Sequence, residues 1–131
     1  MVARLGQERV AVAGASENDP TCLFCDIVAG RIPATIVHSD DETVAFRDVN
    51  PQAPTHMLVI PRQHVLSASA AEATTGVWTA LMTAAARIAR AEGLGEDGYR
   101  LVINTGPAAG QSVAHLHVHV LGGRALSWPP G

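Results

Sequence analysis

Three of the six histidines in this 131-residue chain, His115, His117 and His119, are separated only by Leu116 and Val118. Imidazole is the side chain nearest to a charge change at neutral pH, so such a row suggests proton handling, nucleophilic attack or metal ligation. The run from Gln111 to Leu121 alternates with period two, which predicts a β-strand with one buried face. On that strand the three imidazoles share one face, spaced by about 6.5–7 Å, while Leu116, Val118 and Val120 point into a core. One alternative is a strand that merely shows polar residues to solvent. The others are a His-x-His metal chelate and a middle imidazole that attacks phosphorus to form a covalent intermediate. The Gly-rich stretch Thr105-Gly-Pro-Ala-Ala-Gly110, followed by Gln111 and Ser112, places backbone N–H groups and a hydroxyl just before the row. Loop amides of this kind suit anionic oxygens, so phosphate would rest on Gly110, Gln111 and Ser112 while His117 attacks. Alone, the stretch reads as a turn, and it gains weight as an anion site only beside the histidine row.

A histidine nucleophile needs its second ring nitrogen pinned by an acceptor, and a neighbouring imidazole to share charge or protonate the leaving group. His119 or His115 could serve, and so could His56, if its strand pairs with the row. Asp48 precedes a loop with two prolines and reads either as a loop cap or as a bidentate acceptor for two ribose hydroxyls. Asn104 reads as a turn residue or a donor to phosphate. Cys22 and Cys25 lie one helical turn apart. They are two ordinary helix cysteines, or half of a zinc site that His56 and His115 would complete as Cys₂His₂. His38 and His64 are read as surface or structural residues.

The elements that must position these residues follow in order. Residues 1–20 lack periodicity and read as an N-terminal extension. Thr21 caps a short helix to Ala29, with Gly30 beyond it. Ile36–His38 and Thr43–Arg47 are strands joined by a turn over 39–42, and His56–Pro61 is a third. From Ala70 to Glu92 the apolar spacing becomes three and four, which predicts one long amphipathic helix stopped by Gly93. Tyr99–Asn104 is a fourth strand and the histidine run a fifth. This order predicts an α+β fold: an antiparallel sheet of about five strands with one long and one short helix. Composition agrees: 47% hydrophobic and 16% charged residues suit one globular domain. The net charge of −3, with scattered Arg, argues against a nucleic-acid groove. No stretch has the length of a membrane span and no signal peptide is expected, so the expected location is cytoplasmic.

The segment Ser112-Val-Ala-His115-Leu-His117-Val-His119-Val-Leu121 resembles the motif of the histidine triad (HIT) superfamily. Phe46-Arg-Asp-Val-Asn-Pro-Gln-Ala-Pro-Thr-His56-Met-Leu-Val-Ile-Pro61, Leu121-Gly-Gly-Arg124 and Trp128-Pro-Pro-Gly131 resemble its Hint branch of nucleoside phosphoramidases. The likeness spans 21–131. It implies the HIT fold and a homodimer joined through the long helix and the Tyr99–Asn104 strand, with the sheet extending across the subunits. It also implies binding of a purine nucleoside monophosphate and hydrolysis of the P–N bond of an adenosine 5′-phosphoramidate, with no metal needed for the chemistry. By match of motif, His117 is the nucleophile, His119 bonds the phosphate, and His115 and His56 support the charge. Ser112 assists the leaving group, Asn104 binds phosphate and Asp48 holds the ribose. Phe24, Ile27, Phe46, Val49 and Leu58 surround the base, and Trp128 lines the partner's pocket. Many bacterial members carry paired cysteines as zinc ligands, which supports structural zinc on Cys22, Cys25, His56 and His115. Such a site conflicts with a relay role for His115. Ala114 stands where an aromatic is frequent, and His119 argues against the uridylyltransferase branch, which has Gln there. A diadenosine polyphosphate hydrolase, a non-catalytic nucleotide-binding module and a zinc hydrolase at the triad are the competing functions.

Overall fold

The structure, a computed structural model, describes residues 19, 21–74 and 76–131. The expected extension over 1–20 therefore lies, apart from Asp19, outside the described residues. A five-stranded antiparallel sheet runs in the order β1-β2-β3-β5-β4, formed by β1 Ile36–Ser39, β2 Thr43–Arg47, β3 Thr55–Pro61, β4 Tyr99–Val102 and β5 Val118–Gly122. The helices are α1 Leu23–Val28, α2 Ala68–Ala71 and the long α3 Val77–Ala91. Among the described residues no helix is long and apolar enough to cross a membrane.

The sheet separates two apolar layers, and period-two alternation sorts its residues between them. Met57, Val59, Val118 and Val120 face α3 and pack with Leu81, Ala85 and Ile88. Phe46, Leu58 and Ile60 face the opposite way and pack with Phe24, Ile27 and Val28 of α1. Register then decides what stands together on this second face. Phe46 pairs with Leu58, and Leu58 with His119, giving one row across three strands. His56 pairs with Leu121, so it lies diagonal to His119 on the same face, within side-chain reach.

Three expectations change in detail. The predicted long helix over Ala70–Glu92 is two helices, because the chain turns after α2 and Gly76 takes φ +90° before α3. An Ala-rich pattern continues across such a break unmarked, but a left-handed φ favours glycine at the junction. The cap of α1 is Cys22, not Thr21: the Cys22 Sγ accepts from the Cys25 N–H at 3.3 Å. The third change bears on the chemistry. The strand expected over the whole histidine run starts only at Val118, leaving His115 and His117 in the segment ahead of it. There the His115 N–H bonds the Val113 carbonyl at 2.9 Å and the Leu116 N–H bonds the Val65 carbonyl at 2.6 Å, so the backbone pairs with the loop after β3 instead of with β3 itself. The apolar half of the alternation survives, since Leu116, Val118 and Val120 are all buried on the α3 side.

Candidate functional site

The bend before β5 divides the histidine row. His115 turns into a buried cluster with Cys22, Cys25 and His64. His117 and His119 stay together, with ring centroids 5.1 Å apart, and His119 meets His56 at 5.2 Å. His56, assigned from the sequence to both the metal set and the catalytic set, stands with His119 and Asp48, and His64, read from the sequence as a surface or structural residue, stands beside the cysteines where His56 was expected. His64 had no local signal for this role. It lies on the loop after β3, and only the fold of that loop against the segment before β5 brings it to Cys25.

Hydrogen bonds assign a proton position on each ring. A carbonyl oxygen only accepts, so His117 Nδ1–H donates to the His115 carbonyl at 2.7 Å, which leaves a lone pair on Nε2 of the neutral ring. The Gln52 N–H donates to His56 Nδ1 at 3.0 Å, so the neutral His56 carries its proton on Nε2. That proton faces His119 Nδ1 at 2.9 Å, with Asp48 Oδ2 at 3.4 Å from the same nitrogen. His119 Nδ1 therefore accepts, and its own proton is left on Nε2. Burial, together with the neighbouring His117 and His56, holds the His119 pKa down at about 4, against the pull of Asp48. Burial likewise lowers that of His56. His119 and His56 are therefore neutral at pH 7, and the site sets the His117 ring, whose free nitrogen is Nε2, beside a His119 ring that carries an N–H. The first suits attack on an electrophile and the second suits an anionic oxygen.

An apolar wall adjoins this pair. Phe24 sets its ring edge-to-face against His117 at 5.2 Å and against Phe46 at 5.4 Å. Ile27 and Leu58 belong to the same buried cluster, so four of the five residues expected around a base are together. Val49 differs: it is fully exposed on the loop after Asp48. Asp48 itself caps that loop, accepting the Asn50 N–H at 2.8 Å while its other oxygen faces His56. Asn104 is half-buried just beyond β4. Gly110, with φ +88°, closes the short turn Pro107–Ala109. The Gln111 side chain braces this loop, accepting from the Gly106 N–H at 2.9 Å and donating to the carbonyls of Leu66 and Val113 at 2.8 and 3.0 Å. Ser112 is exposed, on the wall of a surface cavity of about 330 Å³ that also meets His64 and Ala114. Trp128 is 80% exposed in the single chain.

The second cluster has the donor chemistry of a metal centre. His115 Nδ1 lies 3.3 Å from Cys22 Sγ, 3.6 Å from Cys25 Sγ and 3.2 Å from His64 Nδ1, and His64 Nδ1 lies 3.2 Å from Cys25 Sγ. Around a tetrahedral zinc ion, bonds of about 2.0–2.1 Å to nitrogen and about 2.3 Å to sulfur put N···N at about 3.3 Å and N···S at about 3.6 Å. The four side chains thus stand near the spacing zinc requires without rearrangement. His115 Nε2–H donates to the Pro61 carbonyl at 2.9 Å, so its Nδ1 lone pair points at the cysteines. Burial holds the His115 pKa at about 3 and pushes the Cys25 thiol up to about 12. A cation among these donors would displace the thiol protons and relieve that burial penalty.

A profile of the HIT domain family matches residues 29–126. The chain is 46% identical to a maize protein named 14 kDa zinc-binding protein, over 97% of this chain and all of the relative. It is 42% identical to the Arabidopsis thaliana adenylylsulfatase HINT1, over 97% of this chain and 88% of that one. Among solved structures, a HIT family hydrolase from Legionella pneumophila is similar with a TM-score of 0.82 and 47% identity, covering 85% of this chain and 100% of that one.

Proposed function

This chain belongs to the HIT domain family, and from that premise we propose that it is a purine nucleotide-binding hydrolase that releases AMP from adenosine 5′-phosphoramidates. The observation that carries this reading is the proton arrangement at the triad. His117 Nδ1–H is tied to the His115 carbonyl, leaving Nε2 as nucleophile, and His119 holds its N–H next to it. His117 Nε2 attacks the α-phosphorus, the P–N bond breaks, and the amine departs after gaining a proton. Water then cleaves the nucleotidyl–His117 bond and yields AMP. His119 donates to a phosphoryl oxygen as charge builds on it, and His56 supports that charge. Phe24, Ile27, Phe46 and Leu58 would enclose the base, Asp48 the ribose, and Asn104, Gly110, Gln111 and Ser112 the phosphate, with Ser112 next to the leaving group. This chemistry is assigned to side chains and routed through no metal.

Cys22, Cys25, His64 and His115 fit a structural zinc ion, and a relative of this chain is named for zinc binding. Bound there, zinc would supply a cross-link between α1 and the loops that follow β3 and precede β5. In this reading the conflict at His115 disappears, because His56 alone supports His119. Residues 21–131 form the HIT domain and 1–20 an extension. The protein works as a cytoplasmic homodimer, in which β4, at the open edge of the sheet, pairs with its copy and Trp128 reaches the partner's pocket.

The test is turnover of adenosine 5′-phosphoramidate with intact-mass detection of nucleotidylated protein. We expect His117→Gly to lose at least about a thousand-fold in kcat/KM and the covalent adduct with it; undiminished turnover would overturn the reading. The name of the Arabidopsis relative favours adenylyl sulfate as a second substrate, with the same attack and sulfate leaving. Parallel kcat/KM values on the phosphoramidate, adenylyl sulfate and a diadenosine polyphosphate rank the three. AMP binding with no turnover of any of them would instead indicate a binding module.

A further inference from the structure

Asp19 lies ten residues before the segment matched by the family profile, and it touches the cysteine–histidine cluster in two ways. Its carboxylate is divided. Oδ1 accepts the Thr21 N–H at 2.8 Å and the Thr21 hydroxyl at 2.7 Å, a turn in which the Asp19 carbonyl also accepts the Cys22 N–H at 3.0 Å. Oδ2 faces His64 Nε2 at 3.9 Å. The other nitrogen of His64 is the one inside the cluster, 3.2 Å from Cys25 Sγ and 3.2 Å from His115 Nδ1. A histidine that ligates metal through one nitrogen characteristically donates from the other to a carboxylate or carbonyl, which fixes its tautomer and raises its basicity. His115 already has this arrangement through the Pro61 carbonyl at 2.9 Å. His64 has it only if Asp19 closes by about 1 Å, to hydrogen-bond distance. There is room for that movement, because Asp19 and His64 both border the surface cavity next to Cys22.

We propose that Asp19 is the outer carboxylate of the metal site, holding His64 with its proton on Nε2 and its Nδ1 lone pair toward the cysteines. Asp19 is a positioning residue in this role. It would make the lead-in to α1, outside the family-matched segment, a determinant of how tightly the site holds zinc. The proposal rests on the zinc reading above, and two measurements keep them apart.

Full-length protein is stripped of metal and titrated with Zn²⁺ against a chromophoric chelator at pH 7. One equivalent bound by the wild type supports the zinc reading, and none bound removes both. Asp19→Asn keeps an oxygen for the Thr21 turn and loses the negative charge. We expect it to bind one equivalent of zinc about 10–100-fold more weakly, while the metal-free forms of variant and wild type melt together. Wild-type affinity in Asp19→Asn would overturn the proposal with the zinc reading intact. So would a weaker affinity accompanied by an equal drop in the melting temperature of the metal-free form, which marks a folding defect. Thr21→Val separates turn from carboxylate: it should leave zinc affinity within about threefold of the wild type, and a loss as large as that of Asp19→Asn would assign the effect to the turn. Co²⁺ in place of zinc adds a spectroscopic check, since its visible bands report whether both nitrogens remain ligands.

Discussion

The two imidazoles at the triad owe their roles to partners on the backbone and on one neighbouring ring. For His119 this arrangement has a measurable dependence on pH. Its ordinary pKa of 6.5 falls to about 4 in the folded protein, chiefly through burial. Below about pH 6.5 the unfolded chain takes up a proton that the native ring refuses, so folding stability is full at neutral pH and declines as pH falls. The decline should end near pH 4, where the folded ring titrates as well. Melting temperatures of metal-free protein between pH 7.5 and 4.5 would show it, and His119→Gln should flatten the curve. A wild-type curve as flat as that of the variant would contradict the assignment. Phe24 has a different kind of importance, since one ring touches His117, His115 and Phe46. Phe24→Ala should cost about 3–5 kcal/mol by denaturant unfolding and weaken both the triad and the cysteine cluster. The grouping of His117 with His119 was legible in the sequence from their alternation with apolar residues, whereas Phe46 and Leu58 were reached only through the likeness of their segment to the family's motif. The place of His64 was not legible, since nothing within ten residues of it shows that Cys25 is its neighbour.

At the scale of elements, the sheet pattern was readable and the breaks were not. β2 and β3 appear almost to the residue because each alternates between two apolar layers and is bounded by Asp40 or by the loop prolines. β5 is shorter than its alternating pattern, because Leu116 donates to Val65 and the pairing with β3 begins only at Val118. Periodicity records which face a residue occupies; it does not record which backbone groups already have another partner. The junction of α2 and α3 escaped for a related reason, as alanine fits either side of it equally well. Gly76 is the residue that gives it away, at φ +90° with open space around the site of a Cβ. Gly76→Ala should therefore destabilise the protein by about 1–2 kcal/mol through backbone strain alone, measured by urea unfolding. A neutral result would show that the junction relaxes out of the left-handed region.

For the molecule as a whole, β4 is bonded to β5 on one side and forms the edge of the sheet on the other. Its residues are half-buried or exposed, and Tyr99 is among the exposed large side chains. In the proposed homodimer this edge is covered, so light scattering at micromolar concentration should give twice the mass of the chain. Leu101→Lys on the same strand should shift the protein toward the monomer. A wild type that stays monomeric would leave the edge to some other partner. One further consequence belongs to His115, whose ring enters the cysteine cluster while its carbonyl accepts the hydrogen bond of His117 Nδ1–H. The two centres share a residue through different atoms, so side-chain and backbone chemistry can be dissected separately there. An inactive His115→Ala would be ambiguous, confounding a lost donor with a displaced peptide. An ester in place of the peptide linking His115 to Leu116 would keep the His115 ring while weakening the acceptor for His117 and deleting the Leu116 N–H that bonds the Val65 carbonyl. It would separate what the backbone at this peptide contributes, the tautomer lock on His117 together with the Leu116–Val65 bond, from what the His115 ring contributes.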